Sequence, residues 1–443
     1  MAFTTYLAQV LGLLHGSLTL LYLSYRAWVD GVSQEASISE KTYHDLWDLE
    51  DDKHNHNFLS TSTGLQLHYL TNTKTESTKK LVVLLHGFPD SVHVYRHLLA
   101  SQRLVDSQTK LVALGLPGYG GSDSPENFQA STIMNAMIEA IVKLKTRHLS
   151  SEFQKPGSCI LLGHDWGGAI AYRLASETEG LVDRVVVLNS LHMPHTKAKV
   201  QLHLSKAVTH FSNWRSQPWQ NLHDLQAAYT ELQPIFMFNL PYPLKTLSLG
   251  LQYITQYCHT FLSSSSYAKH VIAAAANGPS EAEATSKTPK GQTYGPSVVA
   301  RAKSSPSNAW LQRIRIYREG LGRDSWSANN ITKEFVSQSQ RQVGKEGVFK
   351  YPMTIIFGLD DLAFNLDIVL EGLEQFFPAK TAVPGQGSQI LRLPGQSHWF
   401  FTQARGAEIV EKALLGLLDG NGSGMKAEMK QEVARGEVEI ASH

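Results

Sequence analysis

The run Leu161-Leu162-Gly163-His164-Asp165-Trp166-Gly167-Gly168 constrains this chain more than any other stretch. The apolar residues from Cys159 read as a buried strand, and the small residues on either side of Asp165 let that strand turn sharply into a helix packed close behind it. Such an elbow lifts the side chain at its tip to the end of a sheet. Here the tip is a carboxylate. Serine in that place would form acyl-enzymes from esters or amides, so an ordinary esterase or lipase is disfavoured. A carboxylate suits attack on a saturated carbon, becoming its alkyl ester. The competing role, an aspartate that caps the following helix, is outweighed by the elbow around it.

The rest of the chain alternates about this point. Residues 57–71 carry two short alternating runs around Ser-Thr-Gly, an entry hairpin. Residues 81–85, 111–114, 159–162 and 184–188 are short, apolar and rich in β-branched side chains, the pattern of strands covered on both faces. A helix is predicted over 131–149, with Ile133, Met137, Ile141 and Leu144 on one face and Ser131 as its cap. Another begins just after Asp165. Beyond Asn189 the alternation stops; it resumes at 352–357 and 389–393 and ends in a helix near 406–418. The expected architecture is α/β, a mostly parallel central sheet flanked by helices with an inserted, mainly helical cap. The domain plan is an N-terminal membrane anchor or amphipathic helix at 1–30, core at 31–190 and 351–418, cap at 191–350, and a flexible tail at 419–443. Within the cap, 276–308 is rich in Ser, Pro, Gly, Thr and Lys and reads as a disordered excursion.

At 443 residues the chain is long enough for one large core and a substantial second unit. Its 40 basic and 39 acidic residues balance, so no overall field calls for nucleic acid. Two cysteines exclude a disulfide framework and match no zinc spacing; Cys159 reads as buried packing, and Cys258 as ordinary packing in a tyrosine-rich stretch. The first 25 residues lack Asp, Glu, Lys and Arg. As a helix rising ~1.5 Å per residue, residues 6–25 are long enough for a ~30 Å hydrocarbon layer. A membrane anchor is the leading reading. A helix packed on the catalytic domain and a cleaved signal are the alternatives, and Arg26 alone sets no orientation.

Three further signals follow in order. His86-Gly87-Phe88-Pro89 closes the strand at 81–85, where the Phe88 N–H can join the Trp166 N–H in an oxyanion hole. The Phe88–Pro89 bond is a candidate for cis. The pair Asp360-Asp361 follows the strand at 352–357, and the Gly358-x-x-Asp spacing favours Asp361 as the orienting acid, with Asp360 as a helix cap. His398 follows the last strand. The chain order is nucleophile, acid, histidine. His86 and His164 flank the site as structural groups, and no ligand cluster supports metal-dependent hydrolysis.

Together, His86-Gly87-Phe88-Pro89, the Leu-Pro-Gly-Tyr-Gly-Gly-Ser-Asp run at 116–123, Gly163 to Gly168, Gly358 to Asp361 and Ser397-His398-Trp399 resemble the epoxide hydrolase branch of the α/β-hydrolase fold, membrane-anchored members included. The resemblance covers roughly 57–418. It implies hydrolysis of an epoxide to a vicinal diol through an ester on Asp165, with His398 as base, Asp361 as its partner, and no metal or organic cofactor. It further implies cap tyrosines that protonate the ring oxygen, and Tyr317, in Ile314-Arg315-Ile316-Tyr317-Arg318, matches that segment. A second tyrosine should lie four residues before the Phe of Phe238-Asn239-Leu240-Pro241, where this chain has Pro234. Tyr229 or Tyr242 could substitute, or one tyrosine could suffice. The aromatic cap, with Trp214, Trp219, Phe236, Phe238 and Trp310, points to a lipophilic epoxide, and the N-terminal segment to a membrane, with the endoplasmic reticulum as candidate. The rivals are a haloalkane or haloacid dehalogenase with the same nucleophile, and a membrane-tethered binding protein of this fold with little catalysis.

Overall fold

The computed structural model describes residues 39–50, 54–72, 78–149, 157–211, 266–304, 311–338, 347–378, 387–419 and 424–442, with scattered helical positions before residue 30 and at 226. Its strands are β1 (His56–Ser60), β2 (Gln66–Thr71), β3 (Lys80–Leu85), β4 (Thr109–Leu114), β5 (Cys159–His164), β6 (Thr178–Glu179), β7 (Arg184–Leu188), β8 (Ser337–Gln338), β9 (Met353–Gly358), β10 (Gln389–Leu393) and β11 (Glu439–Ser442). Apart from the β6-β8 pair they form one sheet in the order β1-β2-β4-β3-β5-β7-β9-β10-β11. From β4 through β10 every pairing is parallel. The entry hairpin and β11 join antiparallel at the two edges.

Alternation along each strand explains why both faces are covered. Leu81, Val83 and Leu85 point to one side with Leu161, Val185 and Val187, where helix α1 (Ala130–His148) packs through Ile133, Met137, Ile141 and Leu144. Val82 and Leu84 point to the other side with Ile160, Leu162, Val186 and Leu188, beneath helix α2 (Ala404–Leu418). Each such buried Leu, Ile or Val contributes about 1.5–3 kcal/mol relative to exposure. The helix cap expected at Ser131 is absent: the residue before α1 is Gln129, and Ser131 Oγ accepts the Ser327 N–H at 3.0 Å. β3 neighbours both β4 and β5, so the chain reverses its direction across the sheet there, and ligands of open α/β sheets bind at the carboxyl ends of strands beside such a reversal.

Two segments differ from the sequence expectation. Residues 276–304 of the supposed disordered excursion are folded against the core; 305–308 lie outside the described residues. Tyr294 and Val298 are buried with Trp47. The polar side chains reach backbone and side-chain partners on the core. Gln66 Nε2 donates to the Thr293 carbonyl at 2.8 Å, and Arg301 donates to the Gly120 and Ser122 carbonyls at 2.6 and 3.1 Å. Ser297 Oγ donates to Asp123. Composition registers polarity but not partners, and here the partners replace apolar burial. The tail from 419 is likewise folded over 424–442. Met425, Met429 and Val438 are buried, β11 pairs with β10, and the buried Glu432 carboxylate accepts from Lys412 at 2.6 Å and Arg405 at 3.2 Å. Glu432 and Glu437 are thus paired with Arg405 and Lys412 of helix α2. Among the described residues no helix is long and apolar enough to cross a membrane. Residues 6–25 lie almost wholly outside them, with Ser17, Leu18, Leu21, Tyr22 and Tyr25 described as helical.

The hairpin, the loop at 91–95 and the segment Glu40–Trp47 meet in a group of histidines. His56 Nδ1 and His68 Nε2 lie 2.8 Å apart, and the His93 ring packs 4.6 Å from Trp47 and 5.2 Å from His54. Burial, then the neighbouring histidines, lowers the pKa of His56 and His93; burial chiefly, with His54, lowers that of His68 to about 3. The unfolded chain protonates these rings near 6.5 while the folded chain keeps them neutral. Their contribution is therefore complete above pH 6.5 and is lost as pH falls toward the folded values, by up to about 1.4 kcal/mol per pH unit and ring. Thermal unfolding should show Tm dropping steadily from pH 6.5 to 4.5, and His68→Gln should have a shallower slope; equal slopes would deny this residue the role.

Candidate active site

β5 ends in Asp165, whose backbone takes φ +49°, ψ −120° before helix α3 (Trp166–Glu177) begins. This is a rare conformation for a residue with a side chain, and it persists only where the surroundings enforce it. The glycines show how. A Cβ on Gly163 would stand 2.3 Å from the Gly167 carbonyl oxygen, and one on Gly167 2.3 Å from that of Leu85. Strand, helix and the end of β3 thus touch backbone to backbone. Gly87 is needed for a different reason: a Cβ there would meet Asp165 Cβ at 2.4 Å and Oδ1 at 2.6 Å. The Asp165 side chain occupies the space that Gly87 leaves empty. Phe88–Pro89 is cis, and the Phe88 N–H donates to Asp165 Oδ1 at 2.7 Å. The Trp166 N–H also donates to this carboxylate.

Asp361 and His398 converge on the same point from β9 and β10. His398 Nδ1 lies 2.8 Å from Asp361 Oδ2, and its Nε2 lies 3.9 Å from Asp165 Oδ2. The acid is held on every side. Oδ1 accepts the Ala363 and Phe364 N–H groups at 2.7 and 3.2 Å, and Oδ2 accepts Asn189 Nδ2 at 2.5 Å as well as the imidazole. Asp360 is exposed and makes its backbone bond to Gln396; the cap of the next short helix, Leu366–Val369, is Asn365. Of the two candidate acids, Asp361 is therefore the one beside the imidazole. Burial lowers the affinity of His398 for a proton, but Asp361, then Asp165 and Asp90, outweigh it and raise its pKa above 6.5. Burial raises the Asp165 pKa against the opposing pull of His398 and the two N–H groups.

Tyr317, on the short helix Arg315–Arg318, sets its ring edge-on against both Phe88 and Trp166, with centroids 5.1 and 5.0 Å away. It thus borders the two residues whose amides hold Asp165. The 116–123 run and its neighbours anchor that helix: the Tyr119 hydroxyl donates to the Arg313 carbonyl at 2.7 Å, Arg315 to that of Glu126 at 2.6 Å, and the Phe128 N–H to Glu319 at 2.9 Å. His86 Nε2 accepts the Leu116 N–H at 3.0 Å and His164 Nε2 bonds the His398 carbonyl at 3.1 Å; both rings are buried supports. Cys159 is buried in the sheet. Pro234, Tyr229, Tyr242, Cys258 and the aromatic residues Trp214, Trp219, Phe236, Phe238 and Trp310 lie outside the described residues.

The sequence reading passed over Asp90, which directly follows His86-Gly87-Phe88-Pro89. It is buried, accepts the Trp399 indole N–H at 2.7 Å, and is pushed up to about 7 by burial, against that bond and with the help of the Asp165 charge. A carboxylate immediately after the turn that donates to Asp165 was the available signal. Among the described residues no group of His, Cys, Asp and Glu is arranged to hold a metal ion.

A sequence profile described as alpha/beta hydrolase fold matches residues 80–402. The chain belongs to that family. Among its relatives, epoxide hydrolase 4 of Mus musculus is 37% identical over 130 residues, 29% of this chain and 33% of the relative. Its Homo sapiens counterpart is 32% identical over 133 residues, again 29% and 33%. The matched stretches thus span about a third of these relatives, which carry the name that the motifs resemble. The crystal structure of an epoxide hydrolase from Vigna radiata superposes over 83% of this chain and 99% of that one, with TM-score 0.50 and 16% identity, a likeness of fold. In this hydrolase-fold chain the seat of Asp165 is a tight steric constraint. Gly87→Ala should lower stability by about 1–3 kcal/mol in urea unfolding, the usual range for overpacking. An unchanged midpoint would mean that Asp165 is not seated there.

Proposed function

We propose that this protein hydrolyses a lipophilic epoxide to a vicinal diol through an ester on Asp165. The observation that carries the proposal is the placement of one carboxylate between two amide donors and an imidazole, with Tyr317 packed on the rings of the residues that supply those amides. Phe88 holds Oδ1 at 2.7 Å, while Oδ2 is the oxygen nearest His398. Oδ2 attacks one ring carbon, the carbon–oxygen bond breaks, and the Tyr317 hydroxyl gives its proton to the departing ring oxygen. Water then adds to Cγ of the ester, losing a proton to His398 Nε2. Negative charge gathers on Oδ1, to which the Phe88 amide already donates, with the Trp166 amide on the same carboxylate, each such donor being worth about 2.7–4 kcal/mol. The tetrahedral intermediate expels the diol oxygen, which takes the proton from the imidazolium. The second proton of the water restores the Tyr317 hydroxyl.

Support for an epoxide over an alkyl halide comes from Tyr317. A halide leaves without a proton, whereas a ring oxygen requires one, and the phenol of Tyr317 packs on the rings of the two residues that donate to Asp165. Single turnover in 18O water should release unlabelled diol oxygen and leave label in the Asp165 peptide. His398→Gln should still alkylate but lose turnover by at least about 10⁴-fold, the order found for members of such triads. Tyr317→Phe should slow alkylation itself. Halide release from alkyl halides without diol formation would transfer the reading to a dehalogenase. Because the His398 pKa is raised, its base form appears only above pH 6.5, so ester hydrolysis should climb with pH there.

The same reading includes attachment to a membrane, with the endoplasmic reticulum as candidate, through residues 6–25, which carry no charged side chain. The full chain should stay with membranes through carbonate extraction; release into the supernatant would remove spanning from the proposal.

A further inference from the structure

We propose that Asn189 is a positioning residue that ties the nucleophile to the triad acid and sets the charge that Asp361 presents to His398. The inference rests on the epoxide hydrolase reading for its chemistry but not for its test. Sheet order supplies the first reason. β7 lies between β5, which carries Asp165, and β9, which leads to Asp361, so the residue at its carboxyl end can reach both. Asn189 is that residue, buried and held at φ +31°. Asparagine tolerates positive φ better than most side chains, yet the conformation still needs enforcement.

Every polar group of Asn189 is engaged. Its backbone N–H donates to the Ile356 carbonyl at 3.2 Å, and its own carbonyl accepts the Asp165 N–H at 3.2 Å. The side-chain oxygen accepts the Gly358 N–H at 2.9 Å. The side-chain amide donates to the Gly358 carbonyl at 3.3 Å and to Asp361 Oδ2 at 2.5 Å. The next residue adds a clamp, Ser190 Oγ donating to the Asp165 carbonyl at 2.6 Å. One residue thus fixes the backbone of the nucleophile, both backbone groups at the start of the acid's turn, and the acid itself.

The bond to Asp361 Oδ2 has a chemical consequence because the same oxygen binds His398 Nδ1. A neutral donor on a carboxylate oxygen draws charge away from its other partner. With the amide in place, Asp361 orients the imidazole while stabilising the imidazolium less than it otherwise would. His398 therefore stays available as a base. The charged and titratable groups around this imidazole are Asp361, Asp165 and Asp90, with the His164 ring 4.6 Å away from His398. Asn189 is the neutral side chain that donates to the acid, on the same oxygen that binds His398.

Two substitutions separate this role from mere packing. Asn189→Leu removes the amide. Asn189→Asp keeps shape and the acceptor for Gly358 but sets a second carboxylate against Asp361. The His398 titration is followed by NMR of labelled imidazoles, assigned with His398→Gln, in full-length protein without substrate. The expected result is an upward move of the His398 pKa in both variants, by one pH unit or more in Asn189→Asp. The acid limb of single-turnover ester hydrolysis should shift by the same amount, with alkylation changed less than about threefold. Folded variants whose His398 titration is unmoved would overturn the inference, even if turnover had dropped. If neither variant folds, Asn189→Ser, which keeps a small donor, decides by the same titration. A shifted titration in a protein that opens no epoxide would uphold the positioning role and defeat the proposed activity instead.

Discussion

The hydrogen bond from the Phe88 N–H to Asp165 Oδ1 is the contact on which the site depends. It exists because β3 and β5 pair in parallel with Leu85 opposite Gly163, which brings the turn after one strand against the elbow after the other. Closeness alone would not suffice. Gly87 vacates the volume that the carboxylate fills, Gly163 and Gly167 allow three backbones to touch, and the positive φ of Asp165 aims its side chain inward. Each requirement is local, yet all are met only when the sheet has formed. The strained backbone is therefore stabilised by the same apolar core that Leu81, Val83 and Leu161 build beneath it.

That dependence explains what the sequence disclosed. The strands were legible because β-branched apolar runs have few other uses, and the elbow because its glycines are required sterically. Asp165, Asp361, His398, Phe88, Trp166 and Tyr317 could be selected by spacing, order and resemblance, and the structure brings them to one place. The segments at 276–304 and 424–442 were misread for one shared reason. Their Ser, Thr, Lys and Glu residues look solvated when counted, but Ser297 finds Asp123 and Glu432 finds Lys412 far away in sequence. Polar pairing across such distances leaves no periodic trace. Asn189 was overlooked likewise: an asparagine closing a strand reads as a turn residue, and its five hydrogen bonds appear only once β7 stands between its neighbours.

Three carboxylates surround one imidazole, and their environments divide them. Asp361 accepts hydrogen bonds from two backbone N–H groups and from the Asn189 amide. Asp165 has the Phe88 and Trp166 amides and the His398 ring set against a burial penalty that outweighs them and raises its pKa. Asp90 has the Trp399 indole against a similar penalty, and its pKa near 7 leaves its proton in play at neutral pH. Opposed environments of this kind assign roles to chemically identical groups. The N–H groups aimed at each carboxylate, and the depth at which each is buried, thus set three chemically identical groups apart around one imidazole.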